Sequence, residues 1–65
     1  MAESLMTVEE LADYLSVPVK TVYRWRLTGV GPRGARVGRY VRFRRADVDS
    51  WLERQLQEER AAGAR

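Results

Sequence analysis

Ser16-Val17-Pro18 is all that separates two segments patterned as helices, and this short link constrains the fold more than any other feature of the chain. In the stretch "MTVEELADYL", Thr7 stands three positions before Glu10, the spacing of a capping box in which hydroxyl and carboxylate each satisfy an otherwise orphaned N–H. Met6 and Leu11 have the spacing of a hydrophobic staple. Val8, Leu11, Ala12 and Leu15 recur at i, i+3, i+4 and i+7, which predicts a first helix over about residues 8–15 with one apolar face. A second helix opens near Pro18 or Val19, where proline's missing N–H is one that the first turn leaves unbonded anyway, and it stops at Gly29. Two short helices joined this tightly form a helix-turn-helix corner. Ala12, Ser16 and Val22 suit such a corner: a small residue facing the second helix, a small residue in the turn, and a β-branched residue closing the angle.

With about 100° between successive residues, Val22 and Trp25 fall on one side of the second helix. Lys20, Tyr23, Arg24 and Leu27 fall on the other, which makes that side the candidate recognition surface; for Leu27 itself the alternatives are contact with a thymine methyl and packing on the loop that follows, and the second is the expectation. Beyond the breaker sequence "VGPRG", the run "RGARVGRYVRFRR" places arginine at every third position from Arg33 to Arg45, with Arg44 added. That period belongs to neither a strand nor a helix, and a chain reversal accounts for it. Ala35–Val37 and Val41–Phe43 are expected as short strands around Gly38 and Arg39. Gly38 as first central residue favours a two-residue type II′ loop pairing Val37 with Tyr40. A three-residue loop instead pairs Val37 with Val41 and Ala35 with Phe43, gathering the apolar side chains on one face and setting Arg36 opposite Arg42 on the other. The second register is the expectation, because burying one apolar face should outweigh an imperfect turn. From Ala46 a third helix carries Asp47 and Asp49 in its first turn and an apolar stripe of Val48, Trp51, Leu52 and Leu56. Residues 57–65 turn polar and are expected to fray. Trp25, Phe43 and Trp51 are expected to anchor the core rather than display stacking surfaces. The whole is an α+β domain, mainly α, over residues 1–65, with its core in about 5–56.

At 65 residues the chain has room for one small core. It contains no Cys and no His, which removes the commonest nucleophiles, acid–base groups and transition-metal ligands, and it has no Gly-rich phosphate loop; neither an enzyme nor a cofactor is expected. No apolar run approaches the roughly 18 residues of a membrane span, and the first residues are acidic where a signal peptide is basic. A cytoplasmic protein with no membrane partner and no small-molecule ligand is expected. The net charge of +3 hides a strong asymmetry. Residues 1–16 carry Glu3, Glu9, Glu10 and Asp13 without a base, whereas residues 17–45 carry Lys20 and eight arginines without an acid. Such a block repels itself unless a polyanion compensates it.

"TVEELADYL", "TVYRW", "VGR" and "DVDSWL", in that order, resemble the small excisionase-type winged helix-turn-helix proteins, related to the DNA-binding domain of MerR-like regulators. The resemblance covers roughly residues 5–56 and implies a winged helix-turn-helix that binds double-stranded DNA. It implies recognition-helix contacts from Lys20, Thr21, Tyr23 and Arg24 in the major groove, and wing contacts from Arg36, Arg39, Tyr40 and Arg42 on the backbone or adjacent minor groove. It further implies a recombination directionality factor that bends DNA so that an integrase partner excises an element of phage or integrative origin. Such a factor is expected to be nucleoid-associated, monomeric when free and cooperative with its own copies on DNA. A small MerR-like transcriptional regulator is the nearest alternative, although the long effector or coiled-coil segment of full-length regulators has no counterpart in the match. A module docking an acidic protein on its basic face is the alternative of a different class. Two positions depart from the family pattern: Pro18 stands where a Ser or Thr cap is common, and Leu27 where a polar residue is common.

Overall fold

The computed structural model describes residues 4–63. Glu3 of the acidic block and the last two residues of the expected frayed end lie outside the described residues. Helix α1 spans Val8–Leu15, and both halves of the capping box are present: the Glu10 N–H donates to Thr7 Oγ1 at 3.0 Å and the Thr7 N–H donates to Glu10 Oε1 at 2.9 Å. Ser16 turns the chain with a left-handed φ of 59°, its N–H donating to the Ala12 and Asp13 carbonyls. Helix α2 spans Val19–Thr28 and closes at Gly29, whose N–H donates to the Trp25 carbonyl at 2.9 Å. Pro18 precedes α2 and supplies no side-chain cap. The corner is thus built where the local signals placed it.

Strands β1 (Gly34–Val37) and β2 (Tyr40–Phe43) form an antiparallel hairpin, and α3 runs over Arg45–Gly63. The core is where these elements converge: Val8, Leu11 and Ala12 from α1, Val22 from α2, Phe43 from β2 and Val48 from α3 are buried. Met6, Leu15, Val17, Val19, Trp25 and Val41 pack around them. Met6 also exchanges both backbone hydrogen bonds with Phe43, at 2.7 and 2.9 Å, so the entry to α1 is stitched to the outer edge of β2. Trp25 and Trp51 meet with ring centroids 5.3 Å apart at 49°, tying α3 to α2 from the rim of the core.

The hairpin register corrects the expectation. Val37 pairs with Tyr40, Arg36 with Val41, Ala35 with Arg42 and Gly34 with Phe43, which is the two-residue loop. Gly38 has φ of +64° while Arg39 does not adopt positive φ, the pattern of a type II′ loop. A close approach acts with the turn to select this register. A Cβ on Gly34 would lie 2.5 Å from Phe43 Cε2, so the largest fully buried side chain sits opposite the one residue able to admit it. Ladder alternation then turns the N–H and C=O of Phe43 away from β1, toward Met6. As a result Ala35 and Val37 do not share a buried face with Phe43; they lie with Tyr40 and Arg42 on the other side, and Val37 is 50% exposed. Arg36 and Arg42 stand on opposite faces, and the like-charge penalty of direct pairing, about 0.2–1 kcal/mol, does not arise.

Helix α3 also departs in detail. It begins at Arg45, has only Asp47 of the two aspartates in its first turn, and fully buries only Val48 of the expected stripe. Trp51 and Leu52 are half-buried, and Leu56 is exposed. The helix runs on through 57–63, the polar helix end expected to fray. All of these residues are exposed, and Gln57, Glu58, Glu59, Arg60, Ala61 and Ala62 are strong helix formers that need no packed face to favour this conformation.

Candidate nucleic-acid interface

Burial of Val22 against α1 fixes the rotation of α2. With Val22 and Trp25 turned inward, Lys20, Tyr23, Arg24 and Leu27 stand exposed on the opposite side, and Thr21 lies half-buried at the flank. Tyr23 is 49% exposed. Leu27 is 87% exposed and does not pack on the loop after α2 as expected, because that loop folds back on the inward side: the Val30 N–H donates to the Trp25 carbonyl, and Gly31 lies against the Trp25 ring.

The wing carries its cations on three sides. Arg39 is at the exposed tip, Arg36 is exposed on the face it shares with Val41, and Arg42 is half-buried on the other face with exposed Tyr40. Arg42 is held in place: Nη1 donates to the Val41 carbonyl at 2.9 Å, and the guanidinium centre lies 5.0 Å from the Tyr40 ring centroid. That carbonyl is on the β2 edge that faces away from β1, so the arginine occupies a strand edge otherwise left open.

The arginine run is thereby divided by structure. Arg44 pairs with Asp47 at 3.9 Å and Arg45 with Asp49 at 3.6 Å, and the Arg45 guanidinium lies 4.3 Å from the Tyr14 ring centroid. Tyr14 in turn donates to Asp49 at 2.7 Å, which links α1 with α3. These two arginines belong to the scaffold. Lys20, Arg24, Arg26, Arg33, Arg36, Arg39 and Arg42 make no ion pair with any carboxylate among the described residues.

Three arginines outside the expected site line one cleft. Arg26, Arg33 and Arg54 line a cleft of about 340 Å³ with Trp25 and Phe43, and no acidic residue lines it. Arg26 and Arg33 belong to the acid-free block and could have been suspected from it. Arg54 carries no such signal, since its neighbours on α3 include Glu53 and Glu58 and read as an ordinary solvated face. Among the described residues no cluster of His, Cys, Asp or Glu is arranged to hold a metal, and no helix is long and apolar enough to cross a membrane.

A helix-turn-helix corner whose second helix presents an exposed, acid-free face, flanked by a basic two-stranded wing, defines a DNA-binding winged helix-turn-helix protein. Residues 5–56 match the family described as a helix-turn-helix domain, and the chain belongs to this family of small, excisionase-like helix-turn-helix proteins. Comparison with curated proteins returned no match.

Proposed function

We propose that this protein is an architectural DNA-binding factor of the excisionase type. In this reading α2 enters the major groove with Lys20, Thr21, Tyr23 and Arg24. Arg36, Arg39, Tyr40 and Arg42 lay the wing on the flanking backbone or minor groove. The observation that carries the reading is the partition of the basic block: Arg44 and Arg45 lie beside acids of α3, while the cations on α2 and the wing face no acid and are left for an outside polyanion. Phosphates on both flanks of the groove then attract the protein at α2 and at the wing together, favouring a curved path at a bending cost of about 1–6 kcal/mol for a 20–30 bp site. A single module of this size makes few base contacts, so neighbouring copies on adjacent sites supply the remaining affinity through effective concentration. The free protein is a monomer in this reading. Its exposed apolar side chains are spread over α1, α2, the wing, α3 and the segments around them instead of forming one seam.

The test is an excision reaction with the integrase of the same genetic element, accompanied by circular-permutation gel shifts on DNA with one, two or three sites. Stimulated excision, bent complexes and a cooperative ladder are expected. Site-specific binding without bending or stimulation would leave a transcriptional regulator as the better reading, and sedimentation of the free protein as a stable dimer would contradict the assembly.

A further inference from the structure

We infer that Leu27 reads the C5-methyl group of a thymine in the major groove and so makes an A·T pair at one position a requirement of the DNA site. The inference rests on the assignment of α2 as the helix that enters the groove, and it adds a sequence determinant to that assignment. Leu27 is the most exposed large apolar side chain among the described residues, at 87%. A single exposed leucine is ordinary on a protein surface. Its place on α2 makes this one informative. With about 100° per residue, Leu27 lies within about 20° of Lys20 and directly opposite the side that buries Val22 and Trp25. Tyr23 and Arg24, four and three residues earlier, flank it on the same face. A docking that lays α2 along the groove with Lys20, Tyr23 and Arg24 on the bases brings Leu27 to them as well. Helix α2 has ten residues, about 15 Å in length, comparable with the groove width of about 12 Å, so its last turn stays within reach of the base edges.

The chemistry of the groove then restricts what Leu27 can meet. Guanine and adenine N7, guanine O6, thymine O4 and the amino groups of adenine and cytosine are all polar, and a leucine pressed against them displaces their water without replacing a hydrogen bond. The thymine methyl is the apolar group on that surface, and contact with it removes both from water. Leu27 thus acts by attraction to one base pair and by penalising G·C there.

A site recovered by wild-type protein from a random duplex pool provides the test. Each thymine is replaced singly by deoxyuridine, which keeps the base pair and deletes only the methyl group. One replacement is expected to weaken wild-type binding about fourfold, the worth of one buried methyl, and the same replacement is expected to leave the affinity of Leu27→Ala unchanged. Circular dichroism of Leu27→Ala should match the wild type, since the side chain supports nothing in the fold. Neutral replacement at every thymine, a recovered site without thymine, or a penalty that persists in Leu27→Ala overturns the inference while leaving DNA binding intact. Failure to recover any DNA would overturn the interface itself.

Discussion

Gly34→Ala tests the hairpin register and the packing that selects it. The backbone at Gly34 is not in the left-handed region, so an alanine adds no torsional strain, and the whole effect comes from the new methyl group. That Cβ would lie 2.5 Å from Phe43 Cε2, 2.9 Å from Phe43 Cδ2 and 3.0 Å from Arg26 Nη1. The arginine can swing away. Phe43 cannot, because its side chain is 1% exposed within the core and its backbone is bonded to Met6. Overpacking of this kind costs about 1–3 kcal/mol. A domain of this length has a total stability of roughly 3–10 kcal/mol at the usual value per residue, so the loss is a large fraction. The midpoint of thermal unfolding should fall by about 4–8 °C per kcal/mol. Urea and thermal unfolding followed by circular dichroism and by Trp25 and Trp51 fluorescence measure it, and in a Phe43→Leu background the cost of Gly34→Ala should shrink as the clash is relieved. In the three-residue register Gly34 lies outside the paired segment, and Gly→Ala there would be neutral or stabilising by about 0.4–1 kcal/mol through the unfolded state. A loss below about 0.5 kcal/mol, within the range of ordinary surface substitutions, would refute the packing argument.

Thr7→Ala removes the hydroxyl that accepts from the Glu10 N–H and should lower stability by about 1 kcal/mol in urea unfolding, without altering DNA affinity at temperatures where the variant is folded. Arg24→Ala should cost about 1–3 kcal/mol on the cognate site and much less on random DNA, whereas Arg39→Ala at the wing tip should weaken both to a similar extent; anisotropy titrations on the two DNAs separate the cases. Equal losses on cognate and random DNA for Arg24→Ala would mean that the outward face of α2 is not the reading face.

The helices were legible because their signals are local. Thr7 with Glu10 marks the start of α1, Gly29 the end of α2, and Val22 with Trp25 the inward side of α2; each depends on residues within a turn or two of one another. The wing register does not follow from the rule that a hairpin buries one whole face. Only the end at Gly34 and Phe43 reaches deep into this small core, while Val37 and Tyr40 extend beyond it and are half exposed or more. Nothing was gained by lining up Val37 with Val41, so turn chemistry at Gly38 and room for the Phe43 ring over Gly34 decided. Both glycines were visible, but the need for the second is a tertiary fact. The same holds for the basic block. Its one-sided charge points to a polyanion, yet the ion pairs of Arg44 and Arg45 with α3, and the cleft that Arg26 and Arg33 share with Arg54, depend on where α3 packs.

DNA phosphates are expected to neutralise the cations on α2 and the wing that face no acid, and the salt dependence of binding measures that directly. If about five or six of them do so, log K against log salt should fall with a slope of about −5 per bound monomer on duplex DNA, followed by fluorescence anisotropy between about 50 and 200 mM salt. Arg44→Gln, which alters a guanidinium that lies beside Asp47, should leave the slope unchanged, whereas Arg39→Ala should reduce its magnitude by about 1. A slope near zero, or binding that needs no cation of α2 or the wing, would contradict the account.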